Sequence, residues 1–497
     1  MLVKILLVVI FFGIMIGVGT YSKRMSTSVD GFVLGGRSVG PWLTAFAFGT
    51  SYFSAVVFVG YAGQFGWKYG LSTTWIGIGN AIIGSTLAWM ILGSRTRQMT
   101  HWLNSRTMPD FFESRYMSKS LKIAASIIIF IFLIPYTASI YNGIGRLFEM
   151  GFGISFRWCI VLMAVFTAIY VVLGGYMATA LNDFIQGMIM LVGIVLIIVF
   201  VLNQKGGLTE ANLQMMLLSD DDGNVGTLAT LFGPDPLNLL GVVILTSLGT
   251  WGLPQMIGKF YSIKDERAIE RGTIISTVFA VIISCGCYFL GGFGRLFDNP
   301  TLHNGGKVLY DAIVPYMLSG LPDALIGLVI LLVLSASMST LASLVLTSSS
   351  TMTLDLIKGN IIKEMSEHKQ LLIMRGLIVV FIIISVIIAL DPPTFIAQLM
   401  GISWGALAGS FLAPFLYGLY FKGITKAAVW ASFVVGAGFT VVNMFAHIIE
   451  SPINAGAAAM LIGLVVVPIV SLFTKQLNRS KVDEIFRCYE KEDATKA

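Results

Sequence analysis

Long apolar runs, punctuated by glycine, proline and charge, dominate this chain and predict helices that cross a bilayer. A crossing needs about 20 mostly apolar residues. Read this way, thirteen helices are predicted near 2–21, 41–66, 70–93, 122–147, 155–175, 180–203, 237–260, 273–297, 322–350, 371–390, 394–418, 426–448 and 454–474. The first run, from Ile5 to Val18, is followed by Tyr21-Ser22-Lys23-Arg24 rather than a small-residue cleavage site, so it reads as a retained span. An odd number of spans puts the termini on opposite sides. With the N-terminus outside, the inner loops, span ends and tail hold 25 of the 32 Lys and Arg, and the outer segments hold seven. The positive-inside rule therefore places the C-terminus in the cytoplasm of a multi-pass cell-membrane protein.

Composition sharpens the class. Of 497 residues 56% are hydrophobic and 12% charged, with a mean hydropathy of +0.84. Globular domains carry about twice that charged fraction. A nucleic-acid binder, a secreted disulfide scaffold and a single-anchor receptor are excluded. The cysteines (Cys159, Cys285, Cys287, Cys488) form no disulfide framework, and the histidines (His101, His303, His368, His447) have no second metal ligand at useful spacing. No nucleophile–base pair lies within a span and no GxxxxGK[ST] phosphate loop occurs, so neither an enzyme nor direct ATP coupling is expected. The outer loop 204–236 carries Asp220-Asp221-Asp222-Gly223 without the later glutamate of a calcium loop, and reads as a solvated loop. The basic inner loop 94–121 reads as a contact for anionic lipid.

Several spans depart from lipid-facing helices. Span 2 carries Gly49-Thr50-Ser51-Tyr52-Phe53-Ser54, and span 7 carries Gly249-Thr250-Trp251-Gly252-Leu253-Pro254-Gln255. Glycine, small hydroxyl residues and proline weaken the helical ladder at mid-membrane. Either alone is equally readable as a packed kink. The two spans run in opposite directions and each begins a block of five helices, the sequence pointer to a secondary transporter's binding site. In span 9, Ser335/Ser339 and Ser339/Ser343 align at i, i+4, and neutral oxygens of this kind suit a small monovalent cation; close helix packing is the other reading. Asp183 near the inner end of span 6 is an acid at the edge of a span and hence a site candidate; an interfacial charge held by water is the other reading. Trp404, in Gly401-Ile402-Ser403-Trp404-Gly405, reads equally as cavity lining or as packing. Asp391 before Pro392-Pro393 reads as a turn.

At these residues the chain resembles the sodium/solute symporter family, most closely its sodium/proline branch. The matching blocks run from Gly35-Gly36-Arg37 onward. The most specific are Thr107-Met108-Pro109-Asp110-Phe111-Phe112-Glu113-Ser114-Arg115-Tyr116, Gly174-Gly175 with Asp183-Phe184-Ile185-Gln186, and Leu334-Ser335-Ala336 with Met338-Ser339-Thr340. The resemblance implies an all-α membrane protein with a five-plus-five inverted-repeat, LeuT-like core that works by alternating access. It implies Na+ held by carbonyls of Thr50, Phe53 and Ala336 and hydroxyls of Ser339 and Thr340, with Asp183 on the sodium exit path. Sodium/proline members carry an aspartate where this chain has Tyr52 and an aromatic where it has Thr250. Members with a second sodium site use a hydroxyl where this chain has Ala342, so one coupled sodium is expected.

The implied organisation is a first helix and inner loop (1–40), a first five-helix repeat (41–203), an outer loop (204–236), a second repeat (237–420), two peripheral helices (421–474) and a cytoplasmic tail (475–497). Substrate contacts are expected from Ser51, Tyr52, Ser54, Thr250, Trp251, Gln255 and Trp404. The function expected is sodium-coupled symport of a small organic solute, with an amino acid such as proline favoured. A sugar, sialic acid or monocarboxylate cargo, a transport-inactive sensor and a channel are the alternatives.

Overall fold

The computed structural model describes residues 2–392 and 396–490. Pro393 of the turn after Asp391, and the tail residues 491–497 counted among the inner charges, lie outside the described residues. The structure is almost wholly helical, with one two-residue hairpin (His303–Asn304 against Lys307–Val308) in a loop.

Among the described residues, eleven segments are long and apolar enough to cross a membrane. Two of them, Val56–Trp102 and Phe156–Asn203, run for 47 and 48 residues. That is twice what one crossing needs, and each divides at a glycine with positive φ. Gly70 (φ 59°, ψ −138°) separates the helix Ala62–Tyr69 from the crossing that follows. Gly175 (φ 53°, ψ −147°) breaks the Phe156–Asn203 run. Glycine takes up this backbone without the cost a Cβ imposes. With both divisions the thirteen spans of the sequence reading are recovered.

The span Asp323–Thr351 lies at the centre, against Phe156–Asn203, Lys119–Phe152 and Pro41–Tyr52. Ile396–Tyr420 packs along Pro452–Phe473 and Lys119–Phe152. Glycines allow backbones to meet elsewhere: a Cβ on Gly66 would overlap the carbonyl of Gly291, so Ala62–Tyr69 and Gly286–Gly291 touch main chain to main chain.

The basic loop 94–121 differs from its sequence reading. Its arginines are used inside the protein rather than presented to lipid. Arg95 lies between the rings of Tyr420 (4.2 Å) and Tyr489 (4.5 Å), and Arg97 pairs with Glu266 at 3.1 Å. Arg106 pairs with Asp30 at 2.6 Å, and buried Arg115 donates to the carbonyls of Gly418 (2.8 Å) and Phe421 (2.9 Å). A guanidinium has a planar fork that suits carbonyls and ring faces, and these partners lie between 76 and 394 residues away in sequence. The tail participates through the helix Arg479–Phe486, whose Asp483 pairs with Lys422 at 2.6 Å.

The Thr107–Tyr116 motif is an anchor for this face. Thr107 caps its helix, accepting from the Asp110 amide at 3.2 Å, and donates to buried Asp355 at 2.6 Å. Lys122 sits among Asp110 (2.9 Å), Glu113 (2.8 Å) and Asp355 (3.5 Å). Asp220 in the opposite loop accepts from the amides of Asp222 (3.0 Å) and Asn224 (2.8 Å) and from the Thr227 hydroxyl (2.8 Å), so its acidic triplet builds a turn.

Candidate functional site

Both spans expected to be broken are broken. The helix Pro41–Tyr52 ends at Phe53, which is extended (φ −104°, ψ 90°), and the chain resumes as the wide π-helical turn Val56–Tyr61. The last helical amide, that of Phe53, donates to Gly49 at 3.1 Å. The next carbonyls, of Thr50 and Ser51, have lost their helical partners, as at any helix C-terminus. In the second broken span, Pro236–Leu248 tightens into a 3-10 turn over Gly249–Trp251 and passes through extended Leu253 before Pro254–Tyr261.

The freed carbonyls face Asp323–Thr351. Ser339 donates to the Thr50 carbonyl at 2.9 Å and lies 3.2 Å from that of Ala336. The Thr340 hydroxyl lies 3.2 Å from the Thr50 carbonyl, 3.4 Å from that of Ser51 and 3.0 Å from that of Ala336. Thr50, Ala336, Ser339 and Thr340 of the expected sodium set are thus brought together. Phe53 stands three residues on from Thr50, at the break itself. The carbonyl of Ser51, which the sequence does not mark out, joins this group. Five neutral oxygens with no formal charge fit a small alkali cation, whose hydration shell such oxygens replace. All of these residues are buried.

The expected solute-contacting residues divide. The Tyr52 phenol donates to the Thr246 carbonyl at 2.7 Å, and its ring lies 6.2 Å from that of Trp404. Tyr136, not singled out by sequence, meets Trp404 edge-on at 5.8 Å. The Tyr136 hydroxyl and the Trp404 indole nitrogen are buried without a hydrogen-bond partner. Ser54 is buried at the break and accepts from the Val56 amide at 3.2 Å. Thr250 and Trp251 instead bind a neighbouring span, donating to Gly84 (3.0 Å) and Ile83 (3.0 Å). Gln255, buried with both amide atoms unpartnered, lines a separate narrow crevice of about 50 Å³ together with Lys259, Ser343 and Thr107. That volume holds a few waters and no solute.

Asp183 is fully buried, and the structure supplies a neighbour that sequence reading missed. Lys259, grouped there with the inner span-end charges, is 3% exposed and its Nζ lies 3.8 Å from Asp183 Oδ2. It donates to Ser343 Oγ at 2.8 Å, and Ser343 Oγ lies 2.8 Å from Ser51 Oγ. The available signal was position: Lys259 falls four residues after Gln255, on the same helix face. Among the described residues no cluster of three or more His, Cys, Asp or Glu is placed to hold a metal ion.

Two discontinuous helices crossing a polar, buried centre define a multi-pass transporter of the broken-helix class. Comparison with known proteins is specific. The profile of the Sodium:solute symporter family matches residues 32–436, and the chain belongs to that family. It is 30% identical over 492 residues to the sodium/proline symporter of Staphylococcus aureus strain JH9, covering 95% of this chain and 92% of that one. The same figures hold for the protein of strain NCTC 8325 / PS 47. In three dimensions it is similar to a Na+-coupled sialic acid symporter in its substrate-bound outward-open state. There the TM-score is 0.79 and the identity 18%, over 96% of this chain and 99% of that one. It is also similar to Mhp1, a nucleobase-cation-symport-1 family transporter, with a TM-score of 0.55 and 13% identity over 91% of this chain and 98% of that one. These likenesses bear out the all-α, LeuT-like inverted-repeat core. Membership of the family makes Na+ the coupling ion.

Proposed function

We propose that the chain carries out symport of Na+ with a small organic solute, an amino acid such as proline, by alternating access. The observation that carries this is the convergence of the Ser339 and Thr340 hydroxyls on the Thr50 carbonyl, which is freed by the break in its helix. Thr50, Phe53, Ala336, Ser339 and Thr340, with the Ser51 carbonyl, hold one sodium. Ala342 offers no side-chain oxygen for a second. The 30% identity with sodium/proline symporters over nearly the whole chain supports an amino-acid cargo.

The solute lies beside Tyr52 and Trp404. The unpartnered donors of Trp404 and Tyr136 are available to a carboxylate, since a buried donor without a partner is costly and gains most from one. Ser51, Ser54, Thr250 and Trp251 shape the two breaks, and Gln255 lines the crevice beside Lys259. The basic face is cytoplasmic, with the N-terminus outside and repeats over 41–203 and 237–420, and sodium leaves past Asp183. Uptake into proteoliposomes of a small-metabolite pool containing proline, with and without an inward sodium gradient, tests this. Gradient-driven accumulation of one solute is the expected result. Solutes that equilibrate regardless of sodium would refute it.

A further inference from the structure

We propose that Lys259 is a tethered cation that takes turns with sodium: its ammonium holds Asp183 and Ser343 when the ion has left, and yields them as sodium passes toward the basic face. The inference rests on the symport reading above and concerns how that site releases its ion.

The geometry is that of an exchangeable partner rather than a fixed strut. A lasting buried ion pair has charge-assisted hydrogen bonds of about 2.7–2.9 Å. Here Nζ stands 3.8 Å from Asp183, and both carboxylate oxygens lack a hydrogen-bond partner. An ammonium has three protons to donate. One goes to Ser343 at 2.8 Å, and the ring of Tyr176 lies 5.4 Å away. Both charges are fully enclosed, and an enclosed carboxylate is stable only with a cation beside it. Either an ammonium or a sodium ion satisfies that need.

Lys259 is also wired to the ion site. An ammonium cannot accept, so Ser343 accepts from Nζ, and its hydroxyl shares a hydrogen bond with that of Ser51, 2.8 Å away. Ser51 then faces both ways, its hydroxyl toward Lys259 and its carbonyl 3.4 Å from the Thr340 hydroxyl. Positive charge at Lys259 therefore opposes sodium through this short chain and competes with it directly at Asp183. The crevice lined by Lys259, Ser343 and Gln255 reaches Thr107 on the basic face and gives the displaced ion a hydrated way out.

Binding and dissociation of 22Na+ on the purified full-length protein test this without knowledge of the solute. K259M should bind sodium about ten-fold more tightly and release it correspondingly more slowly, the order expected when a like charge is removed from the ion's route. K259R, which keeps the charge, should stay close to the wild type. A merely structural lysine would weaken binding when lost. If K259M loses its fold, D183N and D183N/K259M give the same comparison, and the double variant should bind more tightly than D183N. Equal or weaker binding on loss of the lysine overturns the proposal while leaving symport intact. A wild type that binds no 22Na+ refutes the symport reading, and this inference falls with it.

Discussion

Tyr52 and Thr246 tie the two broken helices to each other: the phenol of one donates to a main-chain carbonyl of the other across 2.7 Å. Both residues are buried, and Thr246 sits in the last turn before the second break. Sodium/proline members, by resemblance, carry an aspartate where this chain has Tyr52. Here a neutral hydroxyl makes the connection, so the centre gains a link between discontinuities without gaining a charge.

Y52F keeps the ring, stacked on Phe53 at 4.3 Å, and deletes the link. The expected loss is about 1 kcal/mol of stability, the net worth of one such hydrogen bond, together with a higher solute concentration for half-maximal uptake. Thermal unfolding in detergent and uptake kinetics measure the two effects. A variant identical to the wild type in both would show that the bond holds nothing in place.

S339A and T340A each remove an oxygen that lies within 3.2 Å of the Thr50 carbonyl. Each should raise the sodium concentration for half-maximal uptake by about ten-fold, equivalent to about 1.4 kcal/mol, with little change in maximal rate at saturating sodium. Unchanged sodium dependence in both variants would remove these residues from the site.

G66A places a methyl group where the Gly291 carbonyl already stands. Backbone has to move, since no flexible side chain can give way, and overpacking of this kind costs about 1–3 kcal/mol. A lower unfolding temperature is expected, with sodium affinity preserved in the protein that remains folded. G376A, at a glycine with open space beside it, is the control and should be neutral.

Burial pushes the Cys488 thiol up to about 12. The reactive thiolate is therefore scarce at pH 8, and in a C159S/C285S/C287S background maleimide should label Cys488 slowly. F486A removes the ring that Arg115 covers at 5.0 Å and should speed labelling as the tail loosens. Fast labelling before that change would mean the tail is not docked.

The parts of the site that rest on local chemistry were legible in the sequence. Gly49-Thr50-Ser51 and Gly252-Leu253-Pro254 weaken a helix wherever they occur; the first break follows two residues later, at Phe53, and the second falls within its triplet. The hydroxyl face of Ser335, Ser339 and Ser343 follows from helical periodicity alone. What depends on how helices cross was hidden. Lys259 reads as a span-end charge until Asp183, 76 positions earlier, is placed beside it. Tyr136 carries no local mark at all, and gains meaning from the ring of Trp404. The arginines of residues 94–121 read as a lipid-facing stripe because their carbonyl and aromatic partners lie near 420 and 489, beyond the reach of any pattern in the loop.

Arg95 between Tyr420 and Tyr489 has a consequence for timing. One wall of its aromatic slot is made almost four hundred residues after the arginine itself, and contacts so distant in sequence form late. The early helices thus wait, with one face of the guanidinium bare, until residue 489 has been made.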